Sequence, residues 1–324
     1  MPGACFFLPY LTRRFQVNFY GGEPLLSFPA MRRIVEFLEE RNRSSGRTAA
    51  YSITTNGSLA SAEVIDFFGR HKFAVTLSFD GLAQERQRGR GSYELILSRL
   101  QAMSGKPGVD LGVNSVFTPE TVGYLSNSVQ FLMDLGLRRL SVAASILDPW
   151  DERALSRFDV ELTSLRRAAL DHYRQTGRIP LDLFGEDAPE GIFVCSGGKN
   201  WLTVNPGGTV WGCPLISDYF RGREASAEAR EYCFGTLAGF RKSPESRHAR
   251  RSASYGRLNM DNFSTSRGPC FLCPEVKRCS VCPVSAALSG APLGRIPDDL
   301  CAIQKVKIRE QRLFREEAGR ISFP

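Results

Sequence analysis

The chain reads as an α/β protein: a parallel sheet covered by helices, followed by a small cysteine-rich region. Two observations predict this. Residues 15–179 alternate short β-rich runs with amphipathic helical stretches five times in succession, and strand–helix alternation is how a parallel sheet with helical crossovers is written in sequence. Beyond residue 180 the alternation stops and cysteines accumulate: of the nine in the chain, Cys195, Cys213, Cys233, Cys270, Cys273, Cys279, Cys282 and Cys301 all lie there. The expected division is therefore residues 1–180 for the sheet and 181–324 for the cysteine-rich domain.

Taken in order, Phe15 to Tyr20 alternates as a strand and ends in Gly21-Gly22. A helix follows, with Ser27 as cap, Pro29 in its first turn, and Met31, Ile34, Val35 and Leu38 on one apolar face. Ala50–Thr54 is a second strand ending at Thr55-Asn56-Gly57; its helix takes Ser61 as cap and buries Val64, Phe67 and Phe68. Phe73–Phe79 is a third strand, ending at Asp80-Gly81 and followed by a helix over Tyr93–Met103. Val109–Phe117 is a fourth, with a helix carrying Val122, Leu125, Val129 and Leu132 that stops at Gly136. The fifth strand, Leu137–Ile146, leads into a long helix over Asp151–Gly177.

In parallel α/β folds ligands bind where the strands end, because the βα loops gather there. Gly21-Gly22-Glu23-Pro24, Thr54-Thr55-Asn56-Gly57 and Ser78-Phe79-Asp80-Gly81 all lie at or just past such ends. Glycines admit a ligand close to the backbone. Glu23 and Asp80 are acceptors suited to an amine and a ribose, and Asn56 and Ser78 offer neutral polar contacts. Each motif alone is ordinary turn chemistry; three at successive strand ends point to a site.

The cysteines carry a second chemistry. Cys270, Cys273, Cys279 and Cys282 are spaced C-x2-C-x5-C-x2-C, with Cys195 and Cys213 before them and Cys301 after. A C-x2-C step places two thiolates on one knuckle of backbone, suited to a shared metal centre. The three histidines, His71, His172 and His248, are distant in sequence from the knuckles, so the ligands are sulfur. All-thiolate sites select zinc or iron–sulfur clusters. Seven thiolates exceed one closed zinc site by three, which favours iron–sulfur, and Cys233 is a candidate for a remaining ligand position.

With 324 residues, 42% of them hydrophobic and 23% charged, the composition is that of an ordinary globular protein. No apolar run reaches membrane-spanning length, and the apolar Phe6-Phe7-Leu8 lacks the basic segment of a signal peptide. Cysteines without a secretion signal predict reduced thiols in the cytoplasm. The net charge of +8 draws on arginines between Arg221 and Arg257, among them Arg241, Arg247, Arg250 and Arg251. Aromatic interleaving there is thin and no nucleic-acid motif accompanies it, so a solvated face or a surface for an acidic peptide is expected.

Phe19-Tyr20-Gly21-Gly22-Glu23-Pro24-Leu25-Leu26, with Thr55-Asn56-Gly57 and Ser78-Phe79-Asp80-Gly81, resembles the core of the radical S-adenosylmethionine (SAM) enzymes. The cysteine array, including the spacing Cys195-x12-Gly208-x4-Cys213, resembles the SPASM domain of their peptide-modifying branch. The resemblance implies a partial (β/α)6 barrel missing its first unit. It implies that Gly21, Gly22 and Glu23 hold the amino group of SAM, with Ser78 and Asp80 near its ribose and Asn56 in the same pocket. It also implies two auxiliary [4Fe–4S] clusters, one on Cys270, Cys273, Cys279 and Cys301 and the other on Cys195, Cys213 and Cys282. The last knuckle is C-x2-C where the family has C-x3-C. The function so implied is modification of a peptide or protein, as a maturase of a ribosomally made peptide, served by an electron donor such as a flavodoxin or ferredoxin. An anaerobic sulfatase maturase is the alternative within the family, disfavoured by Pro214 directly after Cys213. A non-catalytic relative that binds peptide or relays electrons, and a zinc-binding structural protein, are the alternatives outside it. No residue stands out as catalytic base.

The superfamily's C-x3-C-x2-C loop, which holds the cluster that reduces SAM, has no counterpart in these residues; Cys5 is the one cysteine before Gly21. An N-terminal truncation is the expectation, with a degenerate relative as the alternative. A polypeptide of residues 1–324 alone is accordingly predicted to yield no 5′-deoxyadenosine above background when reduced with SAM. Robust production would place the reducing cluster on other residues.

Overall fold

A computed structural model describes residues 12–185, 191–242, 252–288 and 291–321. They form two compact units. One comprises residues 12–185 with 306–321; the other comprises the described residues between 191 and 305. The first cut falls close to the expected position at 180, but the end of the chain does not stay with the cysteines.

The first unit is built on five parallel strands in the order β1-β2-β3-β4-β5: Arg14–Phe19, Thr48–Thr55, Ala74–Ser78, Asp110–Phe117 and Leu140–Ala144. Among the described residues β1 and β5 lie at the two ends of this order, and Leu181 adds one parallel bridge to Leu140. Helices α1 (Phe28–Ser45), α2 (Ala62–Arg70), α3 (Gln84–Arg88), α4 (Ser92–Met103), α5 (Leu125–Asp134) and α6 (Glu152–Thr176) provide the connections. The expected βα units are thus present in the expected order, with β5 shorter at both ends than its apolar run. Ser61 caps α2 by accepting from the Val64 N–H at 3.3 Å, and Asp151 caps α6 from Ala154 at 2.7 Å. Ser27 occupies the cap position of α1 without a side-chain cap bond.

The sheet has two unlike faces. In a parallel sheet register partners share a face, and successive residues alternate. One face carries Phe19, Ile53, Val75 and Leu111 in one row and Leu77, Val113 and Leu140 in the next; Ile53, Val75, Leu77, Val113 and Leu140 are buried. Phe73 extends this core, its ring 5.1 Å from Phe68, 5.4 Å from Tyr51 and 5.7 Å from Phe67. The other face is small, polar and only half-buried.

Helix α6 is held from the C-terminal side. Arg166 donates to Glu310 at 2.8 Å and also pairs with Glu317, while Arg309 pairs with both Asp159 and Glu310. Phe184 and Phe314 stack at 4.6 Å. These contacts place residues 306–321 in the sheet unit, where sequence had grouped them with the cysteines. Ion pairs at long sequence separation leave no periodic signal to read.

The second unit has little regular structure. Three antiparallel strands, β6 (Thr203–Val204), β7 (Thr209–Trp211) and β8 (Cys233–Thr236), and the hairpin of β9 (Ser264–Thr265) with β10 (Gly268–Pro269) frame it. The helices α7 (Pro214–Tyr219) and α8 (Ala227–Tyr232) are short, and α9 (Asp298–Ala318) begins in this unit. Its core is aromatic: Trp211, Phe220, Phe234 and Tyr255 are wholly buried, and Trp211–Phe220 and Phe220–Tyr232 stack at 5.9 and 6.0 Å. Among the described arginines of the basic stretch, Arg221 pairs with Asp218, Arg257 with Glu231, and Arg223 lies over Tyr219; Arg247, Arg250 and Arg251 lie outside the described residues. Among the described residues no helix is long and apolar enough to cross a membrane.

Glu310 is 1% exposed and sits between two guanidinium groups. Removing one member of a buried pair leaves an uncompensated charge, so Glu310→Ala should lower the unfolding free energy by about 3–5 kcal/mol in denaturant titration. Glu310→Gln, which keeps an acceptor, should cost less.

Candidate functional site

The strand-end loops of the first unit are tied together by their own polar residues. The Glu23 carboxylate accepts from Leu25 N at 3.0 Å and the Thr55 hydroxyl at 2.7 Å through Oε1, and from Asn56 N at 2.8 Å through Oε2. A carboxylate accepts about four hydrogen bonds, so one acceptor position remains. Glu23 is thus first a strap between the loops after β1 and β2. Beside it, a Cβ on Gly21 or Gly22 would meet no atom within 4 Å, and only Gly21, at φ +139°, requires glycine for its backbone. Asn56 turns its carbonyl oxygen back onto the Ser58 N–H and hydroxyl, at 2.9 and 2.7 Å.

Asp80 departs from expectation. It is wholly buried. Its Oδ1 accepts from Val116 N at 2.9 Å and Arg88 Nη2 at 3.4 Å, and its Oδ2 from Arg88 Nε at 2.6 Å and Gln87 Nε2 at 3.0 Å. With every acceptor position occupied from within the chain, it offers none to a ribose. Its role is to fasten the end of β3 to β4 and α3. Ser78, two residues earlier, is half-buried on the polar face.

That face supplies residues the sequence reading missed. Register aligns Asn18 with Ser52, Thr54 with Thr76, and Ser78 with Asn114 and Ser141, all of them half-buried apart from the exposed Asn18. A parallel sheet covered by apolar layers on both faces has continuous apolar strands. The small polar residues Ser52, Thr54, Thr76, Ser78 and Asn114, two apart along each strand, were the available signal: they mark a face kept polar. Toward the C-terminal ends of its strands this face carries small hydrogen-bonding groups, Thr54, Thr76, Ser78 and Asn114.

In the second unit four of the eight described cysteines share one cavity. Cys270, Cys273, Cys279 and Cys301 line one cavity of about 230 Å³, together with Arg267, Lys305 and apolar residues including Met260 and Ile296. Burial first, and then the neighbouring thiols Cys301, Cys270 and Cys273, push the Cys279 thiol up to about 11. Cys270 and Cys301 move in the same direction, again chiefly through burial, with Lys305 and Arg267 opposing it at Cys301. The Cys279 sulfur accepts the Val281 N–H.

Cys213 has the thiols of Cys195 and Cys282 as neighbours. Burial raises Cys195 and Cys213, and the thiols of Cys195 and Cys282 add to the rise at Cys213. The Cys195 sulfur accepts the Gly197 N–H, and Cys213 those of Leu215 and Ile216 at the start of α7. Cys233 lies across from Trp211 in the β7–β8 pairing, and its sulfur accepts from Gly235 N at 3.3 Å. The Tyr255 phenol is raised by burial first, with Cys213, Cys195 and Cys233 adding to it.

None of these eight cysteines is in a disulfide; Cys5 lies outside the described residues. Among the described residues no three His, Cys, Asp or Glu side chains stand close enough to hold a single metal ion. The four-thiol cavity is several times the roughly 30 Å³ a water molecule occupies, room for a polynuclear group rather than one ion. The all-sulfur donor set, with N–H···S bonds already formed, fits an iron–sulfur cluster. His71, paired with Glu39 at 2.7 Å, and His172 on α6 belong to the other unit; His248 lies outside the described residues.

No protein-family model matches the chain. It is 22% identical over 220 residues to the radical SAM cyclopropyl synthase TigE of Paramaledivibacter caminithermalis, a match covering 64% of this chain and 46% of TigE. It is 26% identical over 270 residues to the mycofactocin maturase MftC of Mycolicibacterium smegmatis, covering 79% of this chain and 66% of MftC. The chain thus spans about half the length of TigE and about two thirds that of MftC. Two solved structures of anSMEcpe, one with bound AdoMet and one with AdoMet and the Kp18Cys peptide, share the fold, each at TM-score 0.73 and 15% sequence identity. They cover 99% of this chain and 85% and 90% of the respective anSMEcpe chains.

Asp80 receives its hydrogen bonds from three residues on two other elements. Asp80→Ala should therefore behave as a stability variant, losing about 3–5 kcal/mol because Arg88 and the Val116 N–H are left without their acceptor. Circular dichroism across a denaturant series checks this, and an unchanged midpoint would return Asp80 to the list of ligand contacts.

Proposed function

We propose that this chain is a radical SAM protein of the maturase kind that modifies a peptide or protein. In this reading Cys270, Cys273, Cys279 and Cys301 hold one auxiliary [4Fe–4S] cluster, and Cys195, Cys213 and Cys282 hold another. SAM binds at the end of the sheet, with Gly21, Gly22 and the remaining acceptor of Glu23 toward its amino group, and with Asn56 and Ser78 as further polar contacts. The single observation that carries the reading is the four thiols around one cavity. The fold shared with a protein solved with bound AdoMet and peptide, and the likeness to a named maturase, support the substrate class. A small electron-carrier protein, a flavodoxin or ferredoxin, is the partner this chemistry calls for.

When bound, these groups supply one-electron redox chemistry that no side chain of the protein provides. The chain's own part is to bind and orient. Amides that already point at Cys195, Cys213 and Cys279 stabilise charged sulfur, and such donors tune cluster potentials. The aromatic core packs against the partly buried cysteines. Glu23 holds two strand-end loops at a fixed separation, Asp80 anchors the third, and the open space at Gly21 and Gly22 keeps main-chain groups within reach of a ligand.

Two measurements test the reading. Anaerobic reconstitution should give protein-bound iron and sulfide with broad visible absorption, and Cys273→Ala should lower the iron content by about half, one of two clusters being lost. Tightly bound zinc without sulfide would sink the proposal. For SAM, Gly22→Val places a side chain where the fold leaves open space, so it should weaken binding by calorimetry while leaving the thermal midpoint unchanged. Gly57→Ala provides the contrast: at φ +77° a Cβ would lie 2.5 Å from Leu77, so it should cost stability.

A further inference from the structure

We infer that Tyr255 is the positioning residue of the Cys195–Cys213–Cys282 site, setting the spacing of Cys195 and Cys213 through the glycines beside them. This rests on the cluster reading above. The Tyr255 hydroxyl accepts from Gly212 N at 2.8 Å and donates to Tyr232 O at 3.0 Å. Gly212 immediately precedes Cys213, and Tyr232 immediately precedes Cys233. One phenol therefore fixes the backbone on the N-terminal side of two cysteines.

The ring acts on the other segment. A Cβ on Gly197, Gly198 or Gly212 would stand 2.8, 2.8 or 2.5 Å from Tyr255 ring atoms, and on Gly212 it would also stand 2.4 Å from Gly198 N. The segment after Cys195 and the segment before Cys213 thus meet directly, Gly198 N donating to Gly212 O at 3.1 Å, at a contact only glycines permit. Tyr255 fills the space against both. Phe234 stacks on the ring at 6.1 Å and Tyr232 meets it edge-on at 5.3 Å, and Cys195 N is tied to Leu258 O at 2.9 Å. The Gly197 amide that rests on this ring also donates to the Cys195 sulfur. A shift of the ring would therefore be felt at the sulfur as a change in spacing and as a change in an N–H···S bond, and both alter a cluster's stability and potential.

The test uses the full chain carrying Cys270→Ala and Cys273→Ala, so that the remaining iron reports the site in question. Tyr255→Phe keeps the ring and removes the hydroxyl. It should speed iron release to a chelator by about 10-fold, the lower end for losing an outer-shell partner, and should alter the electron paramagnetic resonance of the reduced cluster and its midpoint potential. Gly197→Ala keeps the phenol and presses on its ring, and should shift the same readouts in the same direction, which covers the case of a poorly folded Tyr255→Phe. Normal iron content with unchanged release, spectrum and potential in both variants would overturn the assignment, leaving Tyr255 a core residue and the cluster reading intact. A parent protein that retains no iron would overturn both.

Discussion

A parallel sheet needs cover on both faces, because its crossovers place helices there and its strands are ordinarily apolar throughout. In this protein one face is apolar and packed under helices, and the other is a set of Ser, Thr and Asn residues kept half out of water. That asymmetry constrains much else in the unit. The helices can bury only one side of the sheet, so the polar side must be shaped by the loops at its rim. The loops in turn are fixed by carboxylates, Glu23 and Asp80, whose hydrogen bonds are worth more than neutral ones. The rim of the polar face is thus set by a few buried or half-buried carboxylate contacts.

The cysteine unit meets a different difficulty. A region of this size with few strands and short helices buries little apolar surface, and its aromatic core of Trp211, Phe220, Tyr232, Phe234 and Tyr255 is correspondingly compact. The thiols pack against that core. Burial disfavours the charged form of a thiol, which is why Cys213 and Cys279 are displaced toward their neutral forms.

The order of the five βα units was legible because alternation at periods of two and 3.6 residues is a local property, and so was the cap at Ser61. The spacing of the cysteines by itself left zinc and iron–sulfur open. What could not be read had non-local causes. The return of residues 306–321 to the sheet unit depends on Arg166, Asp159 and Phe184, more than a hundred positions away. Asp80 was read as a ligand contact because an Asp-Gly at a strand end looks the same whether its carboxylate faces solvent or Arg88. Tyr255 carries no motif; its importance follows from three glycines that sequence presents as loop residues.

The Glu23 strap has a consequence for any attempt to recombine this scaffold with others. Because one side chain spans the turn after β1 and the turn after β2, the two turns form a single mechanical part, although a full helix separates them in sequence. Exchanging either turn alone for one of different length would break the strap and free both. A graft that carries Glu23 together with Thr55 and Asn56 would transplant the geometry whole. Insertions that divergence introduces in this region should accordingly collect at the opposite rim of the sheet.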